Sequence, residues 1–148
     1  IRYTKIGGNV KQNNMKRSKK TLAIEKVRKE ADLLFYELIQ KLAGYKCEIC
    51  GARSITAHHF ILKSQCAELR YAEKNGISID SKCHCLHHQA GDPSIHFRIV
   101  QKRGDKWAEE LFKIKRESNN PLKKKVYRGV SFYEEVIEEL KNKISSLT

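Results

Sequence analysis

Apolar positions divide this chain into helical flanks around a middle of shorter period. Leu22, Val27, Ala31, Leu34, Leu38 and Leu42 recur at helical spacing. They predict a helix over roughly 18–43, with Ser18 or Thr21 able to cap it and Gly44 stopping it. Residues 1–17 show no hydrophobic period and read as a flexible basic arm. Past Gly44, "AGYKCEICG" is a tight turn carrying Cys47 and Cys50, and "SITAHHFIL", rich in Ile and Thr, predicts a short strand. "SQCAELRYAEKNG" is a loop with room for one helical turn, "ISID" a second short strand, and from Lys82 the chain turns helical towards His88.

The helical period then returns. Asp92-Pro93 opens a helix over 93–103 that ends at Gly104. Asp105 caps another, with Trp107, Leu111, Phe112 and Ile114 on one face. "ESNNPLKKK" is a linker, and Ser131-x-x-Glu134 is a capping box opening a last helix with Val136, Ile137, Leu140 and Ile144 inside. The expected fold is α+β and mostly helical: arm 1–17, helix 18–44, a small ββα module over 45–98, and a helical extension over 99–148.

Composition narrows the class. With 40% hydrophobic and 32% charged residues, the chain suits one globular domain and is too apolar for a disordered one. No apolar run reaches the length of a membrane span, and the polar, basic first twenty residues argue against an export signal. The net charge of +13 implies a polyanionic partner, foremost nucleic acid. It is unevenly spread: +8 over 1–46, +1 over 47–100 and +4 over 101–148, a near-neutral middle between basic flanks.

Cysteine and histidine behave oppositely. All five cysteines (47, 50, 66, 83, 85) and all six histidines (58, 59, 84, 87, 88, 96) fall between 47 and 96. An odd cysteine count without an export signal points to a reducing compartment and metal ligation, not to disulfides. Cys47-x2-Cys50 can fill two corners of a zinc tetrahedron. Asp80-x2-Cys83 and Cys85-x2-His88 repeat that spacing, so Asp80, Cys83 and Cys85 compete for the remaining corners. His84 and His88, four apart on a helix, share a face and can grip one cation. His58 and His59, adjacent on a strand, point to opposite faces. One can join His84 and His88 as a third ligand, and the other can stand beside the ion as a base. Three ligands leave positions open for water and a phosphate oxygen.

Cys47-x2-Cys50, "AHHF" at 57–60, Asn75 in "RYAEKNG" and "CHCLHH" at 83–88 resemble the HNH, or ββα-metal, nuclease family. The resemblance covers roughly residues 45–98. "LRYAEKNGISIDSKCH", followed by "GDPSIHF" and "RGDKWAEEL", is similar to its phage-associated subgroup of NinG (Rap)-like recombination nucleases. The chain departs from that pattern at Asp80, where the subgroup usually has cysteine.

The resemblance implies a metal-dependent endonuclease that hydrolyses DNA to 5′-phosphate and 3′-hydroxyl ends. His58, His84 and His88 would hold a catalytic divalent cation, His59 would be the general base, and Asn75 would hold the His59 loop or orient the imidazole. Cys47, Cys50, Cys83 and Asp80 would form a separate structural Zn²⁺ site. Mg²⁺ or Mn²⁺ would serve catalysis, although three imidazoles favour occupancy by Mn²⁺, Ni²⁺ or Zn²⁺. DNA would be the partner, as monomer or dimer, in the cytoplasm of a bacterial or phage-infected cell.

Arg53, Lys63 and Arg70 lie inside the module and are the expected phosphate contacts, ahead of the "PLKKKVYR" run, which reads equally well as a solvated linker. His87 is expected on the solvated side of its helix, His96 at the surface or core edge, Cys66 buried, and Cys85 in reserve as a zinc ligand or in packing. Two other functional classes compete: a zinc-stabilised nucleic-acid-binding module without catalysis, and an interaction protein that dimerises through its terminal helices.

Overall fold

The computed structural model describes residues 18–88 and 92–147, and of His88 the backbone alone. The expected basic arm over 1–17 lies outside the described residues. Among the described residues, five α-helices surround a two-stranded antiparallel ribbon: α1 (Lys19–Leu42), β1 (Ala57–His59), β2 (Gly76–Ser78), α2 (Ser81–His88), α3 (Ser94–Arg103), α4 (Asp105–Ser118) and α5 (Val130–Ser146). Two short 3-10 turns, Ala67–Leu69 and Glu73–Asn75, lie between the strands. The fold is mostly helical with one small sheet, as the periodicity predicted.

Helix α1 starts where expected, with the Ser18 hydroxyl accepting from Thr21 N at 3.2 Å. Its buried face differs from the predicted one. Ala31, Phe35, Leu38 and Ile39 are buried, while Leu22 and Leu42 are half exposed. Two partners set that face: α5, which supplies Tyr133, Ile137 and Leu140, and the ribbon. A second cluster joins Cys47, Phe60, Leu69, Ile77 and Cys83 to Ile95, Ile99, Ala108 and Leu111, so α3 and α4 close over the ribbon from the other side.

The ribbon pairs Ala57 with Ser78, His58 with Ile77 and His59 with Gly76. It is shorter than the predicted 54–62 strand because beyond His59 the chain bonds to Asn75 instead: Phe60 N donates to its main-chain oxygen at 2.9 Å and Ile61 N to its side-chain oxygen at 2.7 Å. Gly76 permits α1 to close in. A Cβ there would stand 2.3 Å from Ile39 Cδ1 and 2.4 Å from Ile39 Cγ1.

Two predicted caps are not made. Gly104, at φ +94, takes the N-cap position ahead of α4, leaving Asp105 in the first turn, where its charge suits the helix dipole. The Ser131–Glu134 capping box does not form, since α5 begins at Val130 with Gly129 at its N-cap. Ahead of α3, Asp92 Oδ1 does accept from Ser94 N at 2.9 Å. No helix among the described residues is long and apolar enough to cross a membrane.

Candidate metal centre and histidine cavity

The turn after α1 is shaped to present two thiols. Cys47 N donates to Ala52 O at 2.7 Å and Gly51 N to Cys47 O at 2.9 Å, and Gly51 sits at φ +75, which a residue without a Cβ adopts freely. Glu48 anchors the turn to the rest of the fold. Its backbone N donates to Ser78 O at 2.9 Å, and its carboxylate takes Arg103 Nη2 at 2.5 Å and Nε at 2.9 Å. Lys102 and Arg98 of α3 add bonds to the carbonyls of Glu48 and Ile49.

Asp80 performs two tasks at the start of α2. Oδ1 accepts from Cys83 N at 2.8 Å, an N-cap bond, and Oδ2 accepts from the Cys50 thiol at 3.6 Å. The Cys83 amide holds the Asp80 carboxyl below the usual range. Cys47 and Cys83 are buried, Asp80 is half-buried and Cys50 exposed.

The ligand atoms of Cys47, Cys50, Asp80 and Cys83 all lie within 4.8 Å of one another. Tetrahedral zinc with bonds of about 2.3 Å needs sulfurs about 3.8 Å apart, so a contraction of the cluster would let it seat such an ion. Burial raises the Cys47 thiol, yet hydrogen bonds, chiefly from the Asp80 and Cys50 backbone, outweigh it and favour thiolate. Burial and the neighbouring Asp80 carboxylate and Cys50 and Cys47 thiols push Cys83 up. This cluster can hold a metal such as zinc. It contains Asp80 and not Cys85, which is exposed on α2.

On the ribbon, adjacent histidines diverge as strand alternation requires. The His58 ring lies 5.4 Å from those of both His84 and His87 of α2, centroid to centroid. Two imidazoles on one tetrahedral cation have centroids about 5 Å apart, which the His58–His84 and His58–His87 pairs both nearly meet. Their donor atoms form no group of three within 4.8 Å among the described residues, and the His88 side chain lies outside those residues. His87, expected in solvent, stands against His58. Its position three residues from His84, on the same helix face, was the signal.

His59 turns towards α1. Its ring stacks on Phe35 at 5.1 Å and meets the edge of Tyr36 at 5.8 Å. Nε2 lies 2.8 Å from Arg70 O. A carbonyl only accepts, so Nε2 carries the proton and Nδ1 the lone pair. Burial lowers the His59 pKa from its ordinary value; the Arg70 carbonyl opposes that and Lys63 adds to it.

Asn75, fully buried, ties this corner together, donating to Ile61 O at 2.9 Å and Leu69 O at 3.0 Å. A cavity of about 700 Å³ opens here, lined by His58, His59 and His84 with Leu33, Tyr36, Ile55, Leu62, Lys63 and Ser64.

Of the expected phosphate contacts, Lys63 lines this cavity and Arg53 is exposed beside the cysteine turn. The Arg70 guanidinium is instead engaged by Asp32, with Nε 2.9 Å from Oδ1 and Nη2 2.6 Å from Oδ2. The residue meets His59 through its carbonyl. His96 stacks on Phe60 at 4.2 Å, at the core edge, and Cys66 is buried as expected.

Comparison with protein-family models, with curated proteins and with solved structures finds no match for this chain.

Proposed function

We propose that the chain is a metal-dependent nuclease of the HNH type that hydrolyses DNA phosphodiester bonds. The supporting observation is one cavity lined by His58, His59 and His84, set apart from a four-ligand cysteine and aspartate cluster that could hold zinc. The net charge of +13 suits a polyanionic substrate. On this reading His58, His84 and His88 would hold a divalent cation. Such an ion, when bound, supplies charge stabilisation to a five-coordinate phosphorus and its leaving oxygen.

The protein's own groups perform the rest. His59 is held by Arg70 O in the tautomer that leaves Nδ1 free to take a proton from water. Burial keeps that imidazole neutral at neutral pH. Asn75 fixes the hairpin that carries it. Lys63 brings positive charge to the cavity wall. A phage recombination or DNA-processing setting belongs to the same reading.

The non-catalytic binding module has one observation in its favour: the described histidine donors stand wider apart than those of the cysteine cluster. Supercoiled plasmid with Mg²⁺ or Mn²⁺ separates the two, using wild type and His59→Asn with zinc content and circular dichroism matched. The nuclease reading expects a loss of about 10²- to 10⁴-fold in the variant. Equal cutting by both removes His59 as base. Zinc-loaded wild type that binds DNA but leaves supercoiled, linear and branched forms intact sinks the nuclease.

A further inference from the structure

Lys63 and Ser64 line three depressions at once: the histidine cavity, a groove of about 660 Å³ against the 119–128 linker, and a shallower one beside α1. The linker groove is strongly basic. Lys63, Lys123, Lys124, Lys125 and Arg128 line it with Glu68 as the one carboxylate on its wall, while Lys63 also reaches Asp32 of the neighbouring depression at 3.4 Å. Lys123 pairs with Glu68 at 3.2 Å with both side chains well exposed, a contact worth little and easily exchanged. Arg128 Nε is shielded from solvent and has no hydrogen-bond partner among the described residues, a donor without an acceptor. Leu122 and Val126 stay exposed at 91% and 62%, so the linker does not gain its position by burying an apolar face.

We propose that this groove is a track for the sugar–phosphate backbone of the DNA strand that enters the histidine cavity, with Lys63 as the hinge between track and site. The identity of the bound molecule rests on the nuclease reading; the track itself rests on charge and continuity. Lysines placed along a groove, with few carboxylates between them, suit repeated phosphates better than one small anion. Binding that replaces condensed counterions by such contacts carries a steep salt dependence.

The test uses the full zinc-loaded chain and a fluorescein-labelled DNA duplex, followed by anisotropy over a salt series without Mg²⁺ or Mn²⁺. One variant carries Lys123→Gln, Lys124→Gln and Lys125→Gln. A charge-matched control carries Lys106→Gln, Lys113→Gln and Lys141→Gln, which line neither groove. The groove variant is expected to bind at least about tenfold more weakly near 0.15 M salt, with the log–log slope reduced by about 2 to 3. The control should shift affinity far less. Equal losses in both variants, an unchanged slope in the groove variant, or no binding by wild type overturns the track.

Cleavage of the same duplex with Mn²⁺ separates the two proposals. Groove-dependent binding without cutting leaves the track standing and removes the nuclease. Cutting that is unaffected by the groove substitutions does the reverse.

Discussion

Helix α2 serves two sites that are built differently. Its first turn brings Asp80 and Cys83 to the thiols of Cys47 and Cys50, and its later residues bring His84 and His87 to His58. On the cysteine side each half is shaped locally, by a tight turn around Gly51 and an N-cap at Asp80, and Glu48 ties the turn to Ser78 and Arg103. All four of its candidate ligands come from the protein, as in the closed coordination that a structural zinc takes. The histidine side is held by partners far away in sequence. His59 leans on Phe35 and on the Arg70 carbonyl, while the guanidinium of Arg70 is engaged by Asp32. Its cavity is open. The cysteine and aspartate donors thus sit on two locally shaped segments, while the histidines are aimed by the surrounding scaffold.

The largest effect should come from the cysteine side. Cys47 is 2% exposed and central to the cluster that includes Ile77 and Leu111. Cys47→Ser, or removal of metal by a strong chelator, should abolish stoichiometric zinc and unfold the ribbon with α3 and α4, because structural zinc contributes folding free energy directly. Metal analysis with thermal unfolding checks this. Full stability without zinc would mean that apolar packing alone holds the module. His58→Ala should keep the cysteine-site zinc, separating the two sites.

Next in size is Asn75→Ala. The substitution removes three buried hydrogen bonds, to Ile61 N, Ile61 O and Leu69 O. With about 1 kcal/mol or more at stake for each buried group left unsatisfied, the loss should be about 3 kcal/mol. Denaturant unfolding measures it. The variant should retain zinc while losing its order around His59, so equal losses of zinc and stability would show that the two sites are one cooperative unit.

How much of this was legible in the sequence follows the same division. Thiol chemistry and x2 spacing are local, so the sequence singled out Cys47 and Cys50 and left Asp80, Cys83 and Cys85 as candidates for the other corners; the HNH resemblance implied Asp80 with Cys83, the set that the structure brings together. The ribbon and every helix were also predicted, with boundary errors at caps. Gly104 and Gly129 took N-cap positions expected of Asp105 and Ser131, a choice made by chain geometry and not by side-chain preference. What was not legible depends on tertiary contact. Leu22 and Leu42 share the period of α1 but lie beyond what α5 and the ribbon cover. His87 and Arg70 have types that suit solvent or phosphate, and only the docking of α2 on β1, and of Asp32 on Arg70, decides otherwise.

The smallest effect should come from Asp32, a remote support of the histidine side. Burial raises its pKa, but the Arg70 hydrogen bond and charge, then Tyr71 and Lys63, more than offset this and hold the carboxyl below 3.8. Glu25, Arg28 and Lys29 line the same depression. A carboxyl depressed in the folded state stabilises the protein fully above its unfolded pKa, and the contribution fades as pH falls through the folded value. Wild type should therefore exceed Asp32→Asn by about 1 kcal/mol at neutral pH, the scale of a partly exposed bidentate pair. The two stabilities should converge as pH falls through the folded value, which lies below 3.8. Urea unfolding across pH measures the gap. If Arg70 truly positions His59, the variant should also lose cleavage rate while its zinc content is unchanged. A gap that is constant with pH would assign the stabilisation to packing around Tyr71 and detach Asp32 from the chain of contacts that aims His59.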